Sequence, residues 1–176
     1  MEKLLILISL LPPFLCLYGI LSSKFYYLSL FFIGLAFILD VKGFYFPRWI
    51  INLLGLVFIF IFFLDVSLEN FLEKSLQTLL LFLGLKLLEK KKLRDYFQIY
   101  LLEFLLLAGA SFYYSALWFF LALLFQVFYI GLALFIHLYL EEGEINKLSW
   151  SELKYIFFNF GILFLSTLTL GLVFFL

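Results

Sequence analysis

Residues 116–140 read ALWFFLALLFQVFYIGLALFIHLYL, an apolar run without one Asp, Glu, Lys or Arg. The hydrocarbon core of a bilayer is about 30 Å thick and takes about 20 helical residues to cross. The stretch therefore predicts a complete spanning helix, Ala116 to Leu140, with Gln126 and His137 as its polar interruptions. It must be helical, because lipid offers no partner for backbone N–H and C=O groups. The rest of the chain has the same character. Of 176 residues, 66% are hydrophobic and 14% charged, and the mean hydropathy is +1.18. Globular chains carry roughly 25% charged residues. A disordered chain is excluded by this excess of apolar side chains. A nucleic-acid binder is excluded by charge: 12 Lys and Arg offset 12 Asp and Glu, with no basic domain.

Working outward, six further segments share this pattern. Leu4 to Leu21 is a first span, interrupted by Pro12-Pro13. It lacks the small-residue cleavage site of a signal peptide, and neighbouring helices or water must satisfy the carbonyls its prolines leave free. Phe25 to about Val41 is near the lower length limit for a span. Trp49 to Leu64 follows Pro47, with Arg48 and Trp49 suited to the headgroup level. A fourth segment has Ser67 as N-cap, Glu69 in its first turn and an apolar core from Leu76 to Leu88. A fifth runs from Tyr96 to about Tyr114. The sixth closes at Glu141-Glu142-Gly143-Glu144, with Gly143 a natural C′ residue. Ser149-Trp150-Ser151-Glu152 matches a capping box and starts the seventh, which runs to Leu176. The predicted fold is all-α, a polytopic transmembrane bundle of about seven helices, or six if 25–41 does not span. Residues 1–176 read as a single transmembrane helical domain with no soluble domain.

The chemistry-bearing residues are few. Cys16 is the sole cysteine and His137 the sole histidine, so neither an internal disulfide nor a His-rich metal site is available. There is no P-loop, GxSxG, HExxH or CxxC pattern. No catalytic, cofactor or metal site is expected, and the chain reads as a non-enzyme. Orientation follows the basic residues. With a cytoplasmic N-terminus, the inner side holds Lys3, Lys42, Arg48, Lys86, Lys90, Lys91, Lys92, Arg94, Lys147 and Lys154. The outer side holds Lys24 and Lys74. The same bias puts the C-terminus outside.

Leu85-Lys86-Leu87-Leu88-Glu89, followed by Arg94-Asp95, resembles a signature of the N-terminal membrane domain of bacterial TgpA-type transglutaminase-like proteins. In that family a Lys-Leu-Leu-Glu segment ends one helix and an Arg-Asp pair opens the next. Leu11-Pro12-Pro13 resembles its proline-containing first helix. Phe104-Leu105-Leu106-Leu107-Ala108 resembles its apolar run, and Phe112-Tyr113-Tyr114-Ser115 stands where it often has Phe-Ser-Gln-Ser. Glu103 departs from the pattern, which often has Gly there. The resemblance implies an inner-membrane protein whose membrane domain precedes an extracytoplasmic transglutaminase-like domain with Cys, His and Asp. The chain lacks that catalytic part and looks like the membrane half, truncated or encoded alone. The implied role is an anchor or scaffold, with the lipid bilayer, a transglutaminase-like domain or other envelope proteins as partners.

Two groups of polar residues stand out. In the first, Lys86 can pair with Glu89 along one helix face, Arg94 can reach Glu89 across the turn, and Asp95 can cap the following helix. This block is a structural plate or a docking site for a cytoplasmic partner or lipid headgroup. The second is an intramembrane site of Glu103, Gln126 and His137. A carboxylate at that depth must be protonated, paired or facing water, with Lys86, Gln126 and His137 as candidate partners. The alternative function is a small proton-linked transporter that uses Glu103. Asn52, Gln77, Gln98, Gln126 and Asn159 are each expected to bond across helices.

Overall fold

Among the described residues, seven α-helices form from the seven apolar stretches: α1 Glu2–Leu17, α2 Ser23–Val41, α3 Arg48–Phe63, α4 Phe71–Leu87, α5 Leu93–Ala110, α6 Leu117–Glu142 and α7 Trp150–Phe175. They are seen in a computed structural model that describes residues 2–64, 67, 69–113, 117–142 and 149–175. No strand occurs among the described residues, where Phe46 and Glu89 form one isolated bridge. Gly143, Lys147 and the junction at 114–116 lie outside the described residues.

The centre of the bundle is the pair α4 and α5. On α5 the buried side chains are Tyr96, Ile99, Tyr100, Glu103, Leu106, Leu107 and Ala110. Their spacing of three and four residues makes one continuous stripe. On α4, Leu76, Leu80, Leu81, Leu83, Leu85 and Leu87 are all buried, so this helix is covered on most of its circumference. Helices α1 and α6 pack against α5 and against each other, α2 and α3 pack against α4, and α7 packs against α6. The edge helices α3 and α7 consequently turn large apolar side chains outward, among them Leu56, Phe60, Phe158 and Leu163.

Helix limits depart from the sequence reading at three places. α1 stops at Leu17 rather than Leu21, because Gly19 takes φ +90° and turns the chain. Ser67 does not cap α4: its backbone N–H donates to Asn70 Oδ1 at 2.8 Å, and the helix starts at Phe71. α5 ends at Ala110, in a turn closed by Ser111 N–H bonding to Leu107 and Ala108. The capping box of α7 does form, with Glu152 N–H donating to Ser149 Oγ and Ser149 N–H to Glu152 Oε2.

Seven spans are expected from sequence, yet by length and composition only α2 and Leu117–Leu140 of α6 qualify among the described residues. The stretches Leu4–Leu17 and Arg48–Phe62 are apolar but shorter. Helix α4 carries Glu73, Lys74 and Lys86, and α5 carries Arg94, Asp95 and Glu103, which dilutes their hydropathy.

Close packing in the centre depends on missing side chains. A Cβ on Gly84 would lie 3.1 Å from Phe32 Cβ, an atom too near its own backbone to move aside. Gly84→Leu should therefore force α2 from α4 and cost roughly 1–3 kcal/mol. Among the described residues nothing lies within 4 Å of a Cβ placed on Gly161, so Gly161→Ala should leave stability intact. Thermal unfolding of the two variants in detergent checks the contrast.

Candidate functional site

Two polar assemblies sit in and at the end of the bundle. The first begins with the chemistry of α1. Pro13 has no backbone N–H, so the carbonyl four residues earlier, on Ser9, loses its helical donor. Gln126 on α6 supplies one: its Nε2 donates to Ser9 O at 3.0 Å and also lies 3.3 Å from Glu103 Oε2. Ser9 Oγ lies 3.0 Å from Glu103 Oε1 and 2.8 Å from Ile6 O. One hydroxyl hydrogen thus faces two acceptors. Ser9, Glu103 and Gln126 are all fully buried, and the three side chains tie α1, α5 and α6 at one point. Tyr129, one turn along α6, donates to Leu5 O at 3.0 Å.

His137 does not join Glu103. Its ring stacks on Tyr96, with centroids 3.9 Å apart and planes at 20°, and its Nε2 lies 3.1 Å from Tyr100 Oη. Tyr96 and Tyr100 are one turn apart on α5, so a single helix face holds the imidazole from two sides. Glu103 does not meet Lys86 either: its polar partners are Ser9 and Gln126.

Lys86 belongs to the second assembly. Its Nζ lies 2.9 Å from Glu89 Oε2 and 3.1 Å from Asp95 Oδ1. Arg48 completes it, with Nη2 2.7 Å from Asp95 Oδ2 and Nε 3.5 Å from Glu89 Oε2. Two cations and two anions alternate around the cluster. Asp95 Oδ2 also accepts the backbone N–H of Lys92 at 2.9 Å, which fixes the start of α5. Phe46 N–H donates to Leu88 O at 3.2 Å and brings the α2–α3 connection against the α4–α5 connection. The Glu89 and Asp95 side chains are buried, whereas Arg48 is 43% exposed. Burial pushes the Asp95 carboxyl up, but the Lys92 N–H and the Lys86 and Arg48 cations outweigh it, holding it below its ordinary 3.8.

Arg48 thus makes the contact that sequence reading gave to Arg94. Arg94 is exposed, and among the described residues it takes no part in the cluster. The loop between Glu89 and Leu93 carries it past the turn, while Pro47 delivers Arg48 from α3. The expected bonds between helices also sort unevenly. Gln126 makes one, whereas Gln77 donates to Glu73 and Asn159 to Tyr155 O on their own helices. Asn52 and Gln98 are exposed and bond to none of the described residues.

The family model of the TgpA N-terminal domain matches residues 5–176. The chain belongs to that family. No curated protein and no solved structure matches it. Both assemblies lie within the matched TgpA N-terminal domain, and Leu85–Glu89 with Arg94-Asp95 contains Lys86, Glu89 and Asp95 of the ion cluster. Sequence reading missed Ser9, Tyr96, Tyr100, Tyr129 and the place of Arg48. Only Ser9 left a local signal, its position four residues before Pro13. Among the described residues no three His, Cys, Asp or Glu side chains converge to hold a metal. The arrangement can pin helices together and hold a charged plate at one end of the TgpA domain. Cys16 on α1 is half-buried and stands apart from His137 on α6.

Loss of either carboxylate partner should be felt. Arg48→Met should cost roughly 1–3 kcal/mol, since it leaves buried carboxylates with one cation. Arg94→Met should stay within about 0.5 kcal/mol. Detergent unfolding midpoints test the pair. The lowered Asp95 carboxyl also fixes the sign of the acid response. Its stabilisation is complete above about pH 3.8 and is lost as pH falls through the lower value it has when folded. Tryptophan fluorescence melts at stepwise lower pH should show this acid limb, and Asp95→Asn should flatten it.

Proposed function

We propose that this chain is a membrane-embedded anchor and scaffold, without catalytic activity of its own, in the cytoplasmic membrane of a bacterium. The carrying observation is inverted polarity. Fully buried positions hold Ser9, Glu103 and Gln126, while Trp118, Phe112, Leu15 and Phe158 are largely exposed. Such a surface is a severe aggregation hazard in water and is ordinary in lipid. The TgpA N-terminal family and the two apolar helices long enough to cross a bilayer support the same reading.

Orientation follows from charge. The connections that carry Lys42, Arg48 and Lys86–Arg94 are hydrogen-bonded to each other, so these cations gather at one end of the bundle. By the positive-inside rule that end faces the cytoplasm. Seven crossings then leave α7 directed outward, where a transglutaminase-like domain or another envelope protein would be held near the membrane. The scaffold's task is positional: a packed bundle fixes where the external partner sits relative to the lipid surface.

Reporter fusions test this topology. Alkaline phosphatase joined after Leu176 should be active, and joined within the 88–92 loop it should be inactive. A fluorescent protein that folds only in the cytoplasm should give the opposite pattern. The chain should also resist extraction from membranes by alkaline carbonate. Reversed reporters would overturn the orientation, and carbonate release would overturn the membrane reading.

Glu103 has a structural role in this proposal. A Gln at 103 keeps an acceptor for Gln126 and supplies a hydrogen towards Ser9. Glu103→Gln should therefore leave the unfolding midpoint nearly unchanged, whereas Glu103→Leu should cost roughly 1–3 kcal/mol by stranding buried donors. In proteoliposomes Glu103→Gln should leave proton permeability unaltered; abolition of a proton flux would favour a carrier instead.

A further inference from the structure

Helix α3 packs against α4 and touches α2 through the Phe58–Phe32 and Phe62–Phe25 ring pairs, while α5 packs along α4 without packing on α3 among the described residues. The two flanking helices leave between them a groove of about 510 Å³, whose lining includes Leu56 from α3, Phe82 from α4 and Leu101 from α5. Its remaining lining is ordered by depth. Lys86 and Glu89 of the ion cluster close one end, next to the half-exposed Arg48. Asn52 lies four residues beyond Arg48 on α3, about 6 Å along the axis, and Gln98 three residues beyond Asp95 on α5, about 4.5 Å. Both amides therefore face the groove region just past the charged plate, and both lack a partner among the described residues. Beyond them the lining is apolar.

We propose that this groove binds one diacyl phospholipid with an anionic headgroup. The proposal rests on the membrane-embedded reading above. The order of lining chemistry matches the order of groups in such a lipid. Its phosphate meets the end where Lys86 and the half-exposed Arg48 stand, its ester carbonyls accept from the Asn52 and Gln98 amides, and one acyl chain lies along Leu56, Phe82 and Leu101. The charge balance selects an anionic headgroup. The cluster of Arg48, Lys86, Glu89 and Asp95 is self-neutral, and exposed Lys90, Lys92 and Arg94, which stand outside the groove lining on the α4–α5 connection and the start of α5, make this end of the bundle net positive. The amides select a lipid over a bare apolar helix, since a carboxamide left unpaired in hydrocarbon is costly. A second copy of the chain would cover the groove differently and would appear as a dimer.

The test uses the full chain in detergent and native mass spectrometry with dioleoyl phosphatidylglycerol. One lipid should be retained per monomer. Dioleoyl phosphatidylcholine should bind more weakly, and glycerophosphoglycerol, which has no acyl chains, should not compete. Asn52→Leu combined with Gln98→Leu should weaken retention about tenfold, and Leu56→Trp should block it by filling the groove. Phosphatidylglycerol with a photoactivatable acyl chain should label Leu56, Phe82 or Leu101 in the unaltered chain, a readout independent of any variant's folding. Equal retention by the double variant, labelling confined to other helices, or a dimer without bound lipid would overturn the proposal. If these fail while the chain resists carbonate extraction, only the groove assignment falls; carbonate release removes the membrane reading itself.

Discussion

The bundle is organised around a hydrogen bond that its own first helix cannot make. Two consecutive prolines inside α1 remove backbone donors, and the Ser9 carbonyl left by Pro13 is buried where no water reaches it. Gln126 donates to that carbonyl from α6, and the same amide meets Glu103 on α5. The need of one helix thereby fixes the rotation and height of two others. A slip of α6 by one turn would take Gln126 about 5.4 Å from its acceptor and leave polar atoms of all three helices unpaired. Leucines packed on leucines tolerate such a slip far better, because their contacts are non-directional. Tyr129 bonding to Leu5 O repeats the constraint one turn away, so α1 is held at two heights.

The charged end works on the other half of the bundle. Helices α3, α4 and α5 converge there through Arg48, Lys86 and Asp95, with Glu89 between them. Each buried carboxylate has two cations, so neither is left as an uncompensated charge. Such a cluster offers modest net stability because its charges are desolvated. Its effect is geometric: it sets where α3 begins relative to α5, although the two helices do not pack together. The groove between them follows directly from that spacing.

The fold was legible in the sequence to the extent that it rests on local signals. Apolar runs separated by charged or glycine-bearing breaks gave all seven helices. The capping box at Ser149–Glu152 and the Lys86–Glu89 pair are contacts between near neighbours in the chain, and both formed. What sequence could not give was partnership across helices. Arg48 and Arg94 are equally plausible partners for Glu89 by type, and only the tertiary path of the α2–α3 connection decides for Arg48. His137 and Glu103 are both polar breaks in apolar runs, yet one is enclosed by two tyrosines and the other by Ser9 and Gln126. Asn70 displaced Ser67 at the start of α4 because its side chain turned back to bond Ser67 itself, a competition that residue preferences do not resolve.

The distribution of unused polar capacity argues for where the chain meets its surroundings. In a bundle that exposes apolar side chains, any hydrogen-bonding group on the outside is a liability unless something there answers it. Within the interior the polar groups are largely consumed in joining helices: Ser9, Glu103 and Gln126 with one another, His137 with Tyr96 and Tyr100. Gln77 and Asn159 bond within their own helices. Asn52 and Gln98 are different, since they sit outside the packed core, at matching depth, on two helices separated by a groove. A pair of unspent amides at one level beside a cationic edge is the complement of a molecule that is anionic at one end, carries ester oxygens next, and is hydrocarbon beyond. The scaffold's interior chemistry thus serves its own packing, and its outward chemistry is concentrated where α3 and α5 part.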